Sequence, residues 1–183
     1  MELIETNFKG VFVIDVNVYN DNRGWFIKTF DSMIFSQEIP DGNIQWKQIN
    51  QSFSKFRNTF RGFHFQEPPF MESKLVRCLS GSVLDFGLDL RKDSDTFLQI
   101  FQIELSSDNK KAVFLPKGFA HGFITLEDNT ELLYLHDENY YPEYECGIKY
   151  NDSQIKNLMK FVPSVISDKD KCYKEINQNF KGY

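Results

Sequence analysis

Alanine is almost missing from this chain. It occurs only at Ala112 and Ala120, so the small helix-favouring residues from which an α-helical bundle is built are not there. An excess of basic charge is also lacking: 21 Lys and Arg stand against 26 Asp and Glu, a formal net charge of -5. With no bulk attraction to a phosphate backbone or an anionic bilayer, general nucleic-acid or membrane binding is disfavoured, although a local basic pocket is not. No apolar run approaches the roughly 20 residues needed to cross a bilayer. The opening MELIETNFKG has no positively charged stretch ahead of an apolar one, which makes a cytoplasmic protein the expectation. Cysteine is sparse, with Cys78, Cys146 and Cys172 odd in number and widely spaced. Neither a CxxC pair nor the density of a disulfide scaffold is present, so reduced, structural thiols are expected.

What is present points to strands. The 183 residues are 41% hydrophobic and 26% charged, enough for one sizeable core, and a single domain over 1–183 is expected. Aromatics make up 16%, with 19 Phe, which favours β-structure. From Gly10, GVFVIDVNVYNDNRG alternates, with Val11, Val13, Asp15 and Asn17 on one side and Phe12, Ile14, Val16 and Val18 on the other; Asn20-Asp21-Asn22 closes it as a turn. KLVRCL, Ser80-Gly81 and SVLDFGLDL read as a hairpin. FLQIFQIEL, AVFLP, GFITL and TELLYLH follow as short strands at the roughly 8–12-residue spacing of a sandwich or barrel. Short helices are expected at Ser32–Phe35 and, capped by Asp152-Ser153, through Ile155, Leu158 and Met159. The charged tail SDKDKCYKEINQNFKGY is equally compatible with disordered filler.

Only three histidines are available for chemistry. His64 lies in NTFRGFHFQEPP and His121 in FLPKGFAHGF; an imidazole among phenylalanines is either a satisfied core residue or a titratable group on a cavity wall. Pro116-x-Gly118-x-x-His121 resembles the second motif of the cupin barrel. The first cupin motif would bring a His-x-His pair, where this chain has His64-Phe65-Gln66, so the ligand set for a metal is short and none is expected. Taken alone, Lys74 suits an exposed strand start and Tyr134 a barrel-lining aromatic. His136 shares the side of Tyr134 by alternation.

Several stretches carry a specific resemblance: Asp21-Asn22-Arg23-Gly24-Trp25-Phe26, Arg61-Gly62-Phe63-His64-Phe65-Gln66, Lys74-Leu75-Val76-Arg77, Asp89-Leu90-Arg91-Lys92-Asp93-Ser94-x-Thr96 and Pro116-Lys117-Gly118-Phe119-Ala120-His121-Gly122-Phe123. In order and spacing they resemble the dTDP-4-dehydrorhamnose 3,5-epimerase family over nearly the whole chain. The resemblance implies a mainly β cupin jelly-roll barrel with short peripheral helices, without metal or other cofactor. It also implies a homodimer acting on a nucleotide-diphosphate 4-keto sugar in surface-polysaccharide synthesis. By motif position, His64 matches the general base, Asp170 the carboxylate that orients it, Lys74 the cation beside the keto oxygen and Tyr134 the acid on the opposite face of the sugar. His121 matches a second pocket histidine that could pair with Asp85. Arg23, Phe26, Gln48, Asn50, Arg61 and Tyr140 match positions that hold nucleotide diphosphate and sugar. His136 is assigned nothing.

The chemistry is consistent with that set. A hydrogen next to a carbonyl is acidified by the substrate itself, so the protein need add only a base of near-neutral pKa, a donor at O4 and a proton source on the other face. Departures from the family pattern leave alternatives open. Lys28 stands where a glutamate is common, Gln48-Ile49-Asn50 replaces Gln-Asp-Asn, and Gly147-Ile148-Lys149-Tyr150 replaces Gly-Ile-x-Trp. A GDP-linked 4-keto heptose, inversion at C3 alone or at both C3 and C5, a 3,4-ketoisomerase, a metal-dependent cupin enzyme and a non-catalytic sugar-nucleotide binding module remain the alternatives.

Overall fold

The structure is a computed structural model that describes residues 1–39, 44–155 and 161–183. Two antiparallel sheets pack face to face. In the first, β1 (Glu2–Glu5), β2 (Phe12–Asp15), β10 (Ala112–Leu115), β7 (Lys74–Ser80), β12 (Thr130–His136) and β5 (Gln48–Ser54) lie side by side in that order. The second runs β13 (Glu145–Gly147), β6 (Thr59–Gln66), β11 (Phe119–Thr125), β8 (Ser82–Asp89) and β9 (Ile100–Ser106), with β14 (Val165–Ile166) added parallel to β6. From β5 to β13 every connection except β8–β9 passes from one sheet to the other, the winding of a jelly roll.

Ser80-Gly81 is therefore not a hairpin turn. β7 pairs with β10 and β12, β8 pairs with β11 and β9, and the chain changes sheets at Gly81. The residue has φ +71°, and a Cβ there would lie 2.5 Å from Thr130 Oγ1, so the corner needs glycine for both conformation and space.

Except over the outward face of β5, much of both faces of both sheets is covered, which explains why many strands are apolar on both sides. Val76, Cys78, Val83, Leu105, Val113, Phe119, Phe123 and Leu132 meet between the sheets. On the outer face of the first sheet, Phe12, Ile14, Leu75 and Phe114 pack under α1 (Ser32–Glu38), whose Phe35 is buried there. Asp31 caps that helix by accepting from the backbone N–H of Met33 and Ile34, and it also binds Lys28. On the outer face of the second sheet, Phe60, Phe63, Phe86 and Leu88 are covered by Ile148, Tyr150, Ile155, Phe161, Ile176 and Phe180 from the C-terminal part.

The alternation read from Gly10 holds only to Asp15. Tyr19–Asp21 (β3) and Gly24–Phe26 (β4) form a separate, fully exposed hairpin, with its turn at Asn22-Arg23 rather than over Asn20–Asn22. The helix expected from Asp152 is a turn as far as Ile155, and Leu158 and Met159 lie outside the described residues. The Asp152 carboxylate accepts from the backbone N–H of Gln154 and Ile176, tying down the tail instead. The tail is structured: Ser167 caps α2 (Asp168–Lys171), and the last residue, Tyr183, exchanges backbone hydrogen bonds with Leu90 and Lys92. All three cysteines are free; Cys78 is in the core, but Cys172 is exposed and has no packing role there. Among the described residues no helix is long and apolar enough to cross a membrane.

Candidate active site

At one end of the inter-sheet space the apolar lining gives way to polar side chains. Strand alternation turns Leu132, Tyr134 and His136 of β12 inward, and the same parity on β7 brings in Lys74, Val76 and Cys78. From the second sheet, β6 and β11 set His64 and His121 directly opposite each other in register, and Asp85 faces inward from β8.

His64 Nε2 lies 2.8 Å from Asp170 Oδ1, so α2 delivers a carboxylate to the edge of β6. Burial pushes the Asp170 carboxyl up, but the hydrogen bonds from His64, Gly62 N–H and Ser167 and the charge of His64 outweigh it and hold the group below its ordinary range. An ionised carboxylate only accepts, so Nε2 is the donor in this pair, and in the neutral form of the ring Nδ1 is the nitrogen left with a free lone pair. The imidazole is about one-third exposed and can meet a ligand, while Asp170 behind it is buried.

Gly62 supplies one of the donors to Asp170 at 3.3 Å and lies against β11. Its φ is +129°, and a Cβ would sit 2.5 Å from Gly122 Cα. Gly62→Ala combines backbone strain with a backbone clash, and we expect a loss of about 3 kcal/mol or more, read as a fall in Tm of roughly 6–12 °C in a thermal melt.

Lys74 is buried, and its ammonium crosses the inter-sheet space to donate to the His64 carbonyl at 3.2 Å. It also pairs with Glu72 Oε1 at 3.0 Å, which leaves one of its three N–H donors for a ligand. Tyr134 hydroxyl is 2.7 Å from Ser52 Oγ on β5. Burial drives its pKa well above the ordinary phenol range, opposed by Ser52 and by the nearby charge of Arg61, so the hydroxyl keeps its proton at neutral pH. His121 Nε2 is 2.8 Å from Asp85 Oδ2, the pairing that the family pattern implied, and its ring stands 6.0 Å edge-on from that of Tyr134. Asp85 is wholly buried, its Oδ1 has no partner among the described residues, and its carboxyl is pushed up by burial against the pull of His121. Each of these two histidines thus gives its Nε2 to a carboxylate.

Of the other residues singled out in the sequence, Arg61 reaches toward β5, donating to Ser54 Oγ and Phe53 O. Asn50 sits beside Tyr134 in register, and Gln48 sits beside His136 with its amide on Glu138 O. Tyr140 stands exposed at the rim, its hydroxyl donating to Glu145. Arg23 and Phe26 are not brought to this site: they lie on the β3–β4 hairpin, where Arg23 pairs with Asp21 and its side chain is 85% exposed. Asp89, Arg91, Ser94 and Thr96 close on one another as a turn, with the carboxylate accepting from all three partners, and so carry structure rather than a site. Sequence reasoning missed Ser52, Gln66 and Glu72 and passed over His136. The position of His136 two residues after Tyr134 was the available signal.

Residues 5–178 match the family profile described as dTDP-4-dehydrorhamnose 3,5-epimerase. The chain is 38% identical over 180 residues to the dTDP-4-dehydrorhamnose 3,5-epimerase of Methanothermobacter thermautotrophicus, covering 96% of this chain and 95% of that one. Among solved structures, it superposes with a TM-score of 0.90 at 34% identity on the Bacillus anthracis dTDP-4-dehydrorhamnose 3,5-epimerase with TDP and pyrophosphate bound, covering 96% of this chain and 99% of that one. A Legionella pneumophila 3,5-epimerase in complex with dTDP-4-keto-L-rhamnose gives a TM-score of 0.88 at 32% identity, covering 95% and 92%.

Proposed function

Because the chain belongs to the dTDP-4-dehydrorhamnose 3,5-epimerase family, we propose that it inverts C3 and C5 of a dTDP-linked 4-keto-6-deoxyhexose by proton removal and return through an enolate. The observation that supports this most is the convergence of the Asp170-bound His64, the buried Lys74 ammonium and the protonated Tyr134 on one end of the inter-sheet space. His64 Nδ1 takes the proton next to the carbonyl. As negative charge moves to O4, the remaining Lys74 N–H gains strength; a donor so placed is worth about 3–4 kcal/mol of barrier. Tyr134 then gives its proton to the opposite face of the carbon, which is far more basic than a phenolate. Release of the abstracted proton from His64 to solvent, together with proton transfer to Tyr134 from solvent by way of Ser52, resets the site.

Arg61, Gln48, Asn50, His121 and Tyr140 hold the sugar and diphosphate in this reading. Arg61 offers a guanidinium fork suited to phosphate. The β3–β4 hairpin and the outward face of β5 expose Tyr19, Trp25, Phe26, Ile49 and Phe53, an apolar surface through which two copies pair. Arg23 and Phe26 reach the partner's nucleotide in that homodimer. Lys28 is engaged with Asp31.

Incubation with a dTDP-linked 4-keto-6-deoxyhexose in D2O tests the proposal. Deuterium is expected at C3 and C5, with an L-configured product, by NMR. Turnover of a GDP-linked 4-keto heptose in place of the dTDP sugar, or a carbonyl moved to C3, would contradict it.

A further inference from the structure

Lys74 does not stand alone. Glu72, two residues upstream, turns one carboxylate oxygen to Lys74 Nζ at 3.0 Å and the other to His136 Nδ1 at 3.1 Å. Gln66 Nε2 adds a third, longer contact at 3.4 Å on the His136 side while its other contacts fix it to the backbone at Phe70 and Asn139. His136 and Lys74 are register partners on β12 and β7, so the carboxylate closes a bridge across two adjacent strands. All three side chains are largely withdrawn from solvent. A buried ammonium left without a counter-ion loses its proton readily.

We infer that Glu72 and His136 are positioning residues for Lys74: Glu72 supplies the counter-charge that aims the ammonium at the substrate oxygen, and His136 locks the Glu72 carboxylate in that orientation. The inference rests on the assignment of Lys74 as the O4 donor. The anchoring is independent of the His64–Asp170 pair, since Lys74 contacts only the backbone carbonyl of His64. It is also directional. With two of three donors fixed on Glu72 Oε1 and His64 O, the third has one cone left to occupy, which a free lysine on a four-carbon stem would not.

The Glu72 carboxyl is pushed up by burial but held down at about 2 by Lys74 and His136, so it stays ionised through the working range. The other ionisable groups that bear on Lys74 are Asp85 from β8, whose carboxyl feels the lysine charge, His121 paired with that Asp85, and Tyr134 on β12. His64 backed by Asp170 completes the surroundings on the β6 side, and Asp137 holds the Ser73 N–H just before β7. Among the described residues only Glu72 contacts the ammonium directly as a carboxylate.

The test compares the full-length wild type, Glu72→Gln, Glu72→Asp and Lys74→Met on a dTDP-linked 4-keto-6-deoxyhexose, with kcat and KM measured across pH. Glu72→Gln is expected to lower kcat about tenfold to a hundredfold with KM within about twofold of wild type. It is also expected to move the alkaline limb of kcat down by about one pH unit or more, because the buried ammonium has lost its counter-ion. Glu72→Asp, which keeps the charge, restores the alkaline limb and shows that the effect is not one of folding. Glu72→Gln with wild-type kcat and an unmoved limb, while Lys74→Met has lost turnover, overturns the inference and leaves the mechanism standing. An alkaline limb equally low in Glu72→Asp and Glu72→Gln overturns the charge argument. Wild-type turnover in Lys74→Met removes the lysine assignment itself.

Discussion

His64→Asn is expected to abolish deuterium incorporation at both C3 and C5, a loss of at least about a thousandfold in the exchange rate, while the fold is retained. Both positions flank the same carbonyl, and one base with one free nitrogen serves both in turn. Asparagine can still accept and donate hydrogen bonds, so the contact to Asp170 can be kept in part and the change isolates the loss of a base. The imidazole is about one-third exposed and belongs to none of the three hydrophobic clusters, so its replacement removes little packing. Exchange continuing at the wild-type rate would remove His64 from its role. The outcome at a single carbon is also informative: exchange lost at C3 but kept at C5 would mean that a second base, with His121 the nearest candidate by register, serves the other position.

The order of the tail follows from the same pair. The segment after Ser167 is rich in charge and poor in aliphatic residues, a composition that by itself leaves disorder open. Two features that a local reading weighs poorly bring it to the sheet. One is a single carboxylate, Asp170, whose partners His64 and Gly62 are over a hundred positions upstream. The other is a pair of aromatics, Phe180 and Tyr183, that touch each other and pack on the outer face of the second sheet. In the proposed mechanism the tail is a structural element with a catalytic reason, because it carries the carboxylate that holds His64.

Strand identity was legible where short apolar runs are punctuated by turns, as in TELLYLH and SVLDFGLDL. Sheet membership was not. A turn at Ser80-Gly81 between two apolar runs is compatible with a hairpin or with a corner, and only the partners of β7 and β8 decide which. β5, QINQSFS, escaped notice because its inward face is the polar wall of the site and its outward face is exposed, so it shows neither an apolar stripe nor a continuous apolar run. The proposed catalytic set rests on motif order, since a lone Lys74 or Tyr134 has no local feature that separates it from an ordinary strand residue. Glu72 and His136 escaped for the opposite reason: they lie two residues from Lys74 and Tyr134, but their partnership is formed across strands and involves no motif.

The central claim is that two groups act on one carbon from opposite sides, and Tyr134→Phe in D2O tests it most directly. The substitution removes the acid and its contact with Ser52 while leaving His64, Asp170 and Lys74 in place. His64 can still take a proton, exchange it with solvent and return a deuteron to the face from which it came. The account predicts deuterium entering C3 and C5 at a rate within about tenfold of wild type, with inverted product slowed by about a hundredfold or more. Inversion and exchange lost to the same extent, or inversion proceeding at the wild-type rate, would contradict it.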